Sequence, residues 1–182
     1  VIEVHLMGSV NCSMAVWPLM KEQEYGRIVM TTSSTGLYGN FGQANYAAAK
    51  AGVVGLMNTL EIEGAKYGIR VNTISPAALT RMTEDLIPDA VHGLLGPENV
   101  TPGVMFLVSD DAPSGEILCA AAGGFAKAVV RETMGVHLGA NAAPEDVAAS
   151  WEKICDETGA MDLKNGAEQT QKFIEQAMKA GG

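Results

Sequence analysis

Three polar side chains in one stretch of the sequence could carry out acid/base chemistry together. Ser33, Tyr46 and Lys50 supply a hydroxyl, a phenol and an ammonium group. Tyr46 and Lys50 are four residues apart, so in a helix they lie on one face, which Val53 and Met57 continue. A buried ammonium is costly without a partner. Lys50 therefore either has a polar partner at a wet cleft or reaches solvent past its alanine neighbours.

The elements around these residues explain how they would meet. Residues 27–32 are rich in Ile, Val, Met and Thr, which predicts a strand buried on both faces of a parallel sheet. A glycine-rich loop over 35–42 follows, and then a helix from about Gln43 to a stop at Tyr67-Gly68. Ligands of open parallel sheets bind beyond the carboxyl ends of the strands. Ser33 lies at that end of its strand and Tyr46 lies in the first helical turn, so the sequence predicts one shared crevice.

This arrangement resembles a known enzyme family. Ser33, twelve intervening residues and Tyr46-x-x-x-Lys50, within the string GNFGQANYAAAKAG, are similar to the signature of the short-chain dehydrogenase/reductase family. Within that family, HLMGS (5–9), YGNFGQANY (38–46) and WEKICD (151–156) resemble the (3R)-hydroxyacyl-CoA dehydrogenase part of peroxisomal multifunctional enzymes of type 2 and their bacterial relatives. The resemblance extends over nearly the whole chain and is most specific over residues 1–85.

The resemblance implies a role for each of the three polar residues. Tyr46 would be the general acid/base that exchanges a proton with the substrate oxygen during hydride transfer. A free phenol is almost fully protonated near neutrality, and a nearby ammonium such as that of Lys50 favours the phenolate. Tyr46 and Lys50 would also bind the cofactor, with Lys50 holding the nicotinamide ribose. Ser33 would donate a hydrogen bond to the substrate oxygen. The alternative for Ser33 is a bond to local backbone, a task that we expect Ser34 to perform.

Three further residues are implied with less specific matches. His5 lies where most of the family has an asparagine in a proton relay, and the multifunctional branch resembles this chain in having histidine there. His5 is thus a possible relay residue, with a structural contact to a backbone carbonyl as the favoured alternative. Pro76 and Thr80 match a segment that contacts the nicotinamide, although Ala77 replaces the family's glycine. Residues 81–97 resemble a mobile substrate-side lid, with a plain surface loop as the alternative.

Composition and charge exclude several classes of protein. The formal net charge is -9 and the pI is about 4.7, which argues against nucleic-acid binding. The three cysteines have no paired spacing and the three histidines form no ligand motif, so we expect no metal and a reducing cytoplasmic location. No apolar run is long enough to span a bilayer, so we expect no membrane partner.

The predicted fold is α/β, with part of a Rossmann-like parallel sheet. We predict about three strands, at 27–32, 69–75 and 116–121, of a doubly wound sheet that normally has roughly seven. We predict that residues 1–139 form the C-terminal half of a short-chain dehydrogenase domain and that 140–182 form a helical tail, with helices at 144–156 and 167–180. The strand, glycine-rich turn and helix that would hold the cofactor pyrophosphate are absent from the sequence.

Two hypotheses about function follow. In the first, the chain is an NAD- or NADP-dependent oxidoreductase acting on a 3-hydroxyacyl-CoA or 3-ketoacyl-CoA type of substrate. In the second, it is a catalytically silent fragment or interaction module that lacks the cofactor-binding half. Both predict a homodimer or higher oligomer, since an unpaired strand edge favours association. The small residues on one helix face would allow close packing against a second copy, as family members pack this helix; they are Ala48, Gly52, Gly55 and Thr59.

Overall fold

A computed structural model describes residues 1–81, 83 and 88–181. The chain divides into two compact units, Val1–Ala128 and the segment from Val129 onward. The division comes earlier than the predicted boundary between residues 139 and 140. The reason is that residues just after Val129 belong with the tail: Glu132 forms a backbone bridge with Met161, and the Thr133 hydroxyl donates to the Ile154 carbonyl at 2.6 Å.

The first unit is built on one four-stranded sheet. Its strands are β1 (Gly26–Thr31), β2 (Ile69–Ala77), β3 (Ile117–Ala121) and β4 (Gly124–Ala128), in the order β1-β2-β3-β4. β1, β2 and β3 are parallel, and β4 pairs antiparallel with β3. The predicted α/β class and parallel sheet are therefore confirmed. The prediction of about three strands missed β4, which follows β3 through a tight turn.

Helices cover the sheet and explain the burial of its central strand. The α-helices of this unit are α1 (Gly8–Glu22), α2 (Ser34–Tyr38), α3 (Ala44–Gly64) and α4 (Thr101–Leu107). A π-helical turn, Glu3–Met7, precedes α1, and short 3₁₀ turns lie at Ala65–Tyr67, Asp89–Leu94 and Pro97–Asn99. Residues 71–75 of β2 are all buried, because the side facing α3 and the opposite side facing α4 are both covered.

The predicted long helix is confirmed almost in full. α3 and the 3₁₀ turn after it end at Gly68, whose φ of 66° is a left-handed conformation that glycine adopts readily. Lys50, Val53 and Met57 are buried on one face of α3, as the spacing predicts. The loop predicted over 35–42 is in part the short helix α2.

β1 lies at the edge of the sheet, beside an open groove. Within the described residues β1 pairs with β2 only. A groove of about 610 Å³ follows its other side and is lined by the π-turn, α1, β1 and Lys50. β1 is thus less buried than the predicted strand, since no described strand pairs with this edge.

Pro76 extends β2 beyond its predicted end at Ser75. The last residue of β1 in register with β2 is Thr31, opposite Ile74. Pro76 pairs with Ala120 on β3. A proline has no N–H to donate, so it fits this position because β1 has already ended there.

The second unit consists of three helices and an extended segment. The helices are α5 (Pro144–Ala149), α6 (Trp151–Ile154) and α7 (Gly166–Ala180). The single helix predicted over 144–156 is therefore two short ones. The buried Lys172 ammonium of α7 pairs with the Glu132 carboxylate and donates to the Thr133 carbonyl at 2.9 Å. The hydrogen bond from Lys172, followed by that from Gln169, lowers the pKa of Glu132 because both bonds favour the carboxylate.

Candidate active site

Lys50 is anchored at the carboxyl end of β1. Its side chain is buried, and its ammonium donates a hydrogen bond to the Thr31 carbonyl at 2.8 Å. The buried Thr32 hydroxyl donates to the Lys50 carbonyl, also at 2.8 Å. Of the two alternatives for Lys50, the structure confirms the polar partner. Burial lowers the pKa of the Lys50 ammonium, because removal from water disfavours its charged form.

Tyr46 lies beside Lys50 on the same face of α3. The Lys50 ammonium is 5.7 Å from the centroid of the half-buried Tyr46 ring. The Asn45 side chain accepts a hydrogen bond from the Tyr46 backbone N–H at 2.8 Å in the first helical turn. The structure therefore brings the predicted phenol and ammonium together at the carboxyl edge of the sheet.

His5 packs against the same tyrosine from the π-helical turn. The ring centroids of His5 and Tyr46 are 5.2 Å apart, and the two planes meet edge to face at 87°. Burial, and then the positive charge of Lys50, lower the pKa of the His5 imidazole. A neutral imidazole has one donor and one acceptor nitrogen. The structure gives the His5 ring an aromatic neighbour, Tyr46. A contact of this ring with a backbone carbonyl stays a prediction.

Ser33 follows β1 and begins the short helix α2. It has extended backbone angles, and its hydroxyl oxygen accepts the Thr35 N–H at 3.2 Å as an N-cap. The expectation that Ser34 would bond to local backbone is therefore wrong, because Ser33 is the residue outside the first helical turn and Ser34 is exposed. As the cap uses only the oxygen of Ser33, the hydroxyl proton remains available for donation.

Pro76 and Thr80 lie at and beyond the end of the neighbouring strand β2. Pro76 is half-buried and Thr80 is exposed. The Thr80 N–H donates to the Thr83 hydroxyl oxygen at 2.8 Å, in a compact turn. Both residues are thus at the same edge of the sheet as Ser33. The predicted lid over 81–97 falls partly on residues 82 and 84–87, which lie outside the described residues, and a 3₁₀ turn occupies Asp89–Leu94.

Gly36 is a site residue that the sequence analysis treated only as a loop former. It lies in α2 against α3, where a Cβ at Gly36 would be 2.6 Å from the Lys50 Cβ and 2.9 Å from the Ala51 backbone nitrogen. No real contact is this short, so only glycine lets α2 approach the lysine this closely. The run of glycines was the available signal, but it does not say which of them faces Lys50.

We predict that Gly36→Ala destabilises the first unit by about 1–3 kcal/mol, since the added methyl forces two helices apart. The measurement is urea unfolding of the full chain. Gly93→Ala is the matched control: Gly93 lies exposed in the 3₁₀ turn Asp89–Leu94 with nothing within 4 Å of a Cβ. The control should be neutral or more stable than wild type by up to about 1 kcal/mol. Equal stability of both variants would contradict the proposed close packing.

Comparison with known proteins identifies the family. Residues 1–90 match the short chain dehydrogenase family. A short-chain type dehydrogenase/reductase of Mycobacterium tuberculosis is 44% identical over 161 residues, which are 88% of this chain and 56% of that protein. The chain belongs to the short-chain dehydrogenase/reductase family. The predicted resemblance is therefore confirmed.

Two more relatives place this short-chain dehydrogenase/reductase chain within the family. The structure of full-length peroxisomal multifunctional enzyme type 2 from Drosophila melanogaster superposes with a TM-score of 0.88 at 36% identity, covering 98% of this chain and 34% of that one. Acetoacetyl-CoA reductase of Rhizobium meliloti is 43% identical over 123 residues, 62% of this chain and 51% of that protein. The chain thus spans about half or less of the length of these relatives.

The described residues contain neither a metal-binding cluster nor a membrane-spanning helix. Across residues 1–81, 83 and 88–181, no group of three His, Cys, Asp or Glu side chains is placed to hold a metal ion. Cys12, Cys119 and Cys155 are free thiols. Among the helices in that part of the chain, none combines the length and apolar character needed to cross a bilayer.

Proposed function

We propose that this chain carries the acid/base half of an oxidoreductase that transfers hydride between NAD or NADP and a 3-hydroxyacyl-CoA or 3-ketoacyl-CoA type of substrate. The observation that carries the proposal is the placement of Lys50. Packing of the core does not require a buried ammonium at a strand end, 5.7 Å from a tyrosine ring. Acid/base catalysis does make use of a positive charge beside a phenol that must release and regain a proton.

Each residue of the site has a task in this proposal. Tyr46 exchanges its phenolic proton with the substrate oxygen, and Ser33 donates a hydrogen bond to that oxygen as charge develops on it. The Lys50 ammonium has three N–H donors, of which one is used on Thr31. Its two remaining donors suit the hydroxyls of a nicotinamide ribose. A nicotinamide would supply hydride chemistry when bound, and Pro76 and Thr80 would contact it.

His5 would return protons to Tyr46. Its neutral imidazole is the form that can accept a proton at one nitrogen and donate one from the other. The edge-to-face contact with Tyr46 keeps the imidazole beside the phenol. A water molecule or the Lys50 ammonium would complete the path to solvent.

The substrate class rests on the relatives and on the chemistry of the sheet edge. The name of the Rhizobium meliloti relative states an acyl-CoA substrate. Residues 28–49, which form the β1 side of this edge, contain no charged side chain. An apolar acyl chain therefore meets no unpaired charge there. Whether NAD or NADP is used stays open, and the cytoplasmic location stays a prediction, since the Drosophila relative is peroxisomal by name.

The cofactor pyrophosphate would be held by another segment. The groove beside β1 supports this, because a strand edge with its backbone groups unpaired on one side is suited to sheet extension. This same observation favours the second candidate, a silent fragment or interaction module that uses the edge for assembly alone. Association through the exposed side of α3, around Gly55, stays a prediction for both candidates.

The test is a titration of the 182-residue chain with NADH and NADPH, followed by assay with acetoacetyl-CoA. Energy transfer from Trp17 and Trp151 to the reduced nicotinamide reports binding. Saturable binding together with substrate-dependent oxidation of the reduced cofactor supports the oxidoreductase. A folded chain that binds neither cofactor supports the silent module. Binding without any oxidation by acetoacetyl-CoA or longer 3-ketoacyl-CoA esters would overturn the proposed substrate class.

A further inference from the structure

Two large aromatic side chains stand uncovered on the loop that joins Ser33 to Tyr46. Phe41 is 102% exposed and Tyr38 is 75% exposed. Exposure of one apolar residue is ordinary, but a whole phenylalanine ring in water forgoes most of the free energy that its burial would give. The loop holds two such rings within four residues of one another, next to the candidate site.

The loop is fixed at both ends, beside Ser33 and just before Tyr46. Ser33 caps α2 at one end. At the other end the Thr35 hydroxyl donates to the Gln43 side-chain oxygen at 3.1 Å, just before α3 begins. A ligand group held by this loop would therefore be held close to the atoms that Ser33 and Tyr46 approach.

The conformation of the loop determines the exposure of Phe41. The Gln43 N–H donates to the Asn40 carbonyl at 3.3 Å, which closes a tight turn with Phe41 and Gly42 as its central residues. Gly42 has a φ of 75° and Gly39 a φ of 80°, both in the region that favours glycine. Phe41 is thus at the apex of a turn, with glycines in favourable left-handed conformations two residues before it and one residue after it. The backbone conformation of this turn therefore determines the exposure of the Phe41 ring.

The loop itself carries no charged side chain, which favours an apolar ligand group over an anionic one. The nearest charged residues along the chain are Arg27 and Lys50, and the Lys50 ammonium is bound to Thr31. Phe41 is five residues from Tyr46, so its Cα lies within about 17 Å of the tyrosine at full extension. We propose that Phe41 and Tyr38 form an aromatic clamp for the acyl chain of a thioester whose reacting carbon lies at Tyr46. This inference rests on the proposed function and extends it to chain-length preference.

The experiment measures binding without turnover. Acetyl-CoA, hexanoyl-CoA and decanoyl-CoA, which lack the 3-oxygen, are titrated calorimetrically into the 182-residue chain and into Phe41→Ser. In the wild type the affinity should rise with acyl length. In Phe41→Ser the Kd for decanoyl-CoA should rise about tenfold, with that for acetyl-CoA unchanged, because only the long chain loses its apolar contact. Phe41→Leu, which stays apolar, should recover most of the affinity.

Controls separate this clamp from its alternatives. Phe106→Ser is the matched control, since Phe106 is 49% exposed on α4 and outside the loop; it should leave all three affinities unchanged. Equal chain-length dependence in wild type and Phe41→Ser would overturn the clamp. So would sedimentation showing that Phe41→Ser dissociates a dimer while the affinities stay equal, which would assign the rings to a second copy. If no ester binds the wild type, the clamp fails with the substrate class, whereas the cofactor titration still tests hydride transfer.

Discussion

Replacing Tyr46 with phenylalanine is expected to lower the rate of hydride transfer by roughly 10²–10⁴-fold, the usual contribution of a positioned general acid/base. The ring stays in place, so the edge-to-face contact with His5 and the position over Lys50 are retained. Only the hydroxyl group, with its exchangeable proton, is lost. The measurement is the single-turnover rate of NADH oxidation by a 3-ketoacyl-CoA, with the Kd for NADH measured on the same variant.

Tyr25→Phe is the control for the Tyr46 prediction. Tyr25 lies just before the amino end of β1, opposite the site, and its hydroxyl donates to Asp110 at 2.9 Å on the surface. Its loss should leave the rate of hydride transfer unchanged. The NADH Kd of Tyr46→Phe should stay within about threefold of wild type, and its stability within about 0.5 kcal/mol. A Tyr46→Phe variant that keeps most of the wild-type rate would remove Tyr46 from the chemistry.

The features that the sequence predicts well are those that repeat along an element. Lys50 interrupts an apolar stripe with a period of 3.6 residues, and burial of Val53 and Met57 on that stripe fixes the rotation of α3. Once the rotation is fixed, the lysine must face the sheet. The partner of Lys50 was not predictable, because the Thr31 carbonyl is a backbone atom and any residue at that strand end would provide it.

Features that depend on a backbone angle or a distant contact escaped the sequence analysis. Ser33 and Ser34 have the same side chain, and only the extended angles of Ser33 make it the cap. β4 has the sequence GFAKA, which is poor in β-branched residues, and its pairing with β3 gives it its strand geometry. The segment just after Val129 joins the second unit through the bridge between Glu132 and Met161. These residues are far apart in the sequence, so no local pattern predicts their pairing.

The proposed site is also expected to cost the fold some stability, and Lys50→Met tests this. Burial lowers the pKa of Lys50 from its ordinary value of 10.5. The folded state therefore binds this proton less strongly than the unfolded state does, which destabilises the fold at neutral pH. Methionine has a similar helix propensity and no charge. Because Thr31 is exposed, its carbonyl can accept a hydrogen bond from water once the ammonium is removed. We expect Lys50→Met to raise the free energy of unfolding by about 1 kcal/mol at pH 7.

The same substitution should abolish most of the activity, because the Tyr46 side chain loses its neighbouring cation and the ribose loses two donors. The expected loss is on the order of 10²-fold or more in hydride transfer. Opposite effects on rate and stability distinguish a functional lysine from a structural one, since a lysine kept for packing or pairing would lower stability when removed.

The pH dependence of stability gives the decisive readout. In the wild type the cost of Lys50 is fully present below its lowered pKa and disappears as the pH rises from that value to 10.5, because the unfolded chain binds more protons within that window. The stability difference between Lys50→Met and wild type should therefore shrink between pH 7 and pH 10.5 in urea titrations. Lys179→Met, at an exposed lysine in the last turn of α7, should show a small difference without this trend. A Lys50→Met chain less stable than wild type at pH 7 would mean that the ammonium stabilises the fold, and the argument for a purely functional lysine would fail.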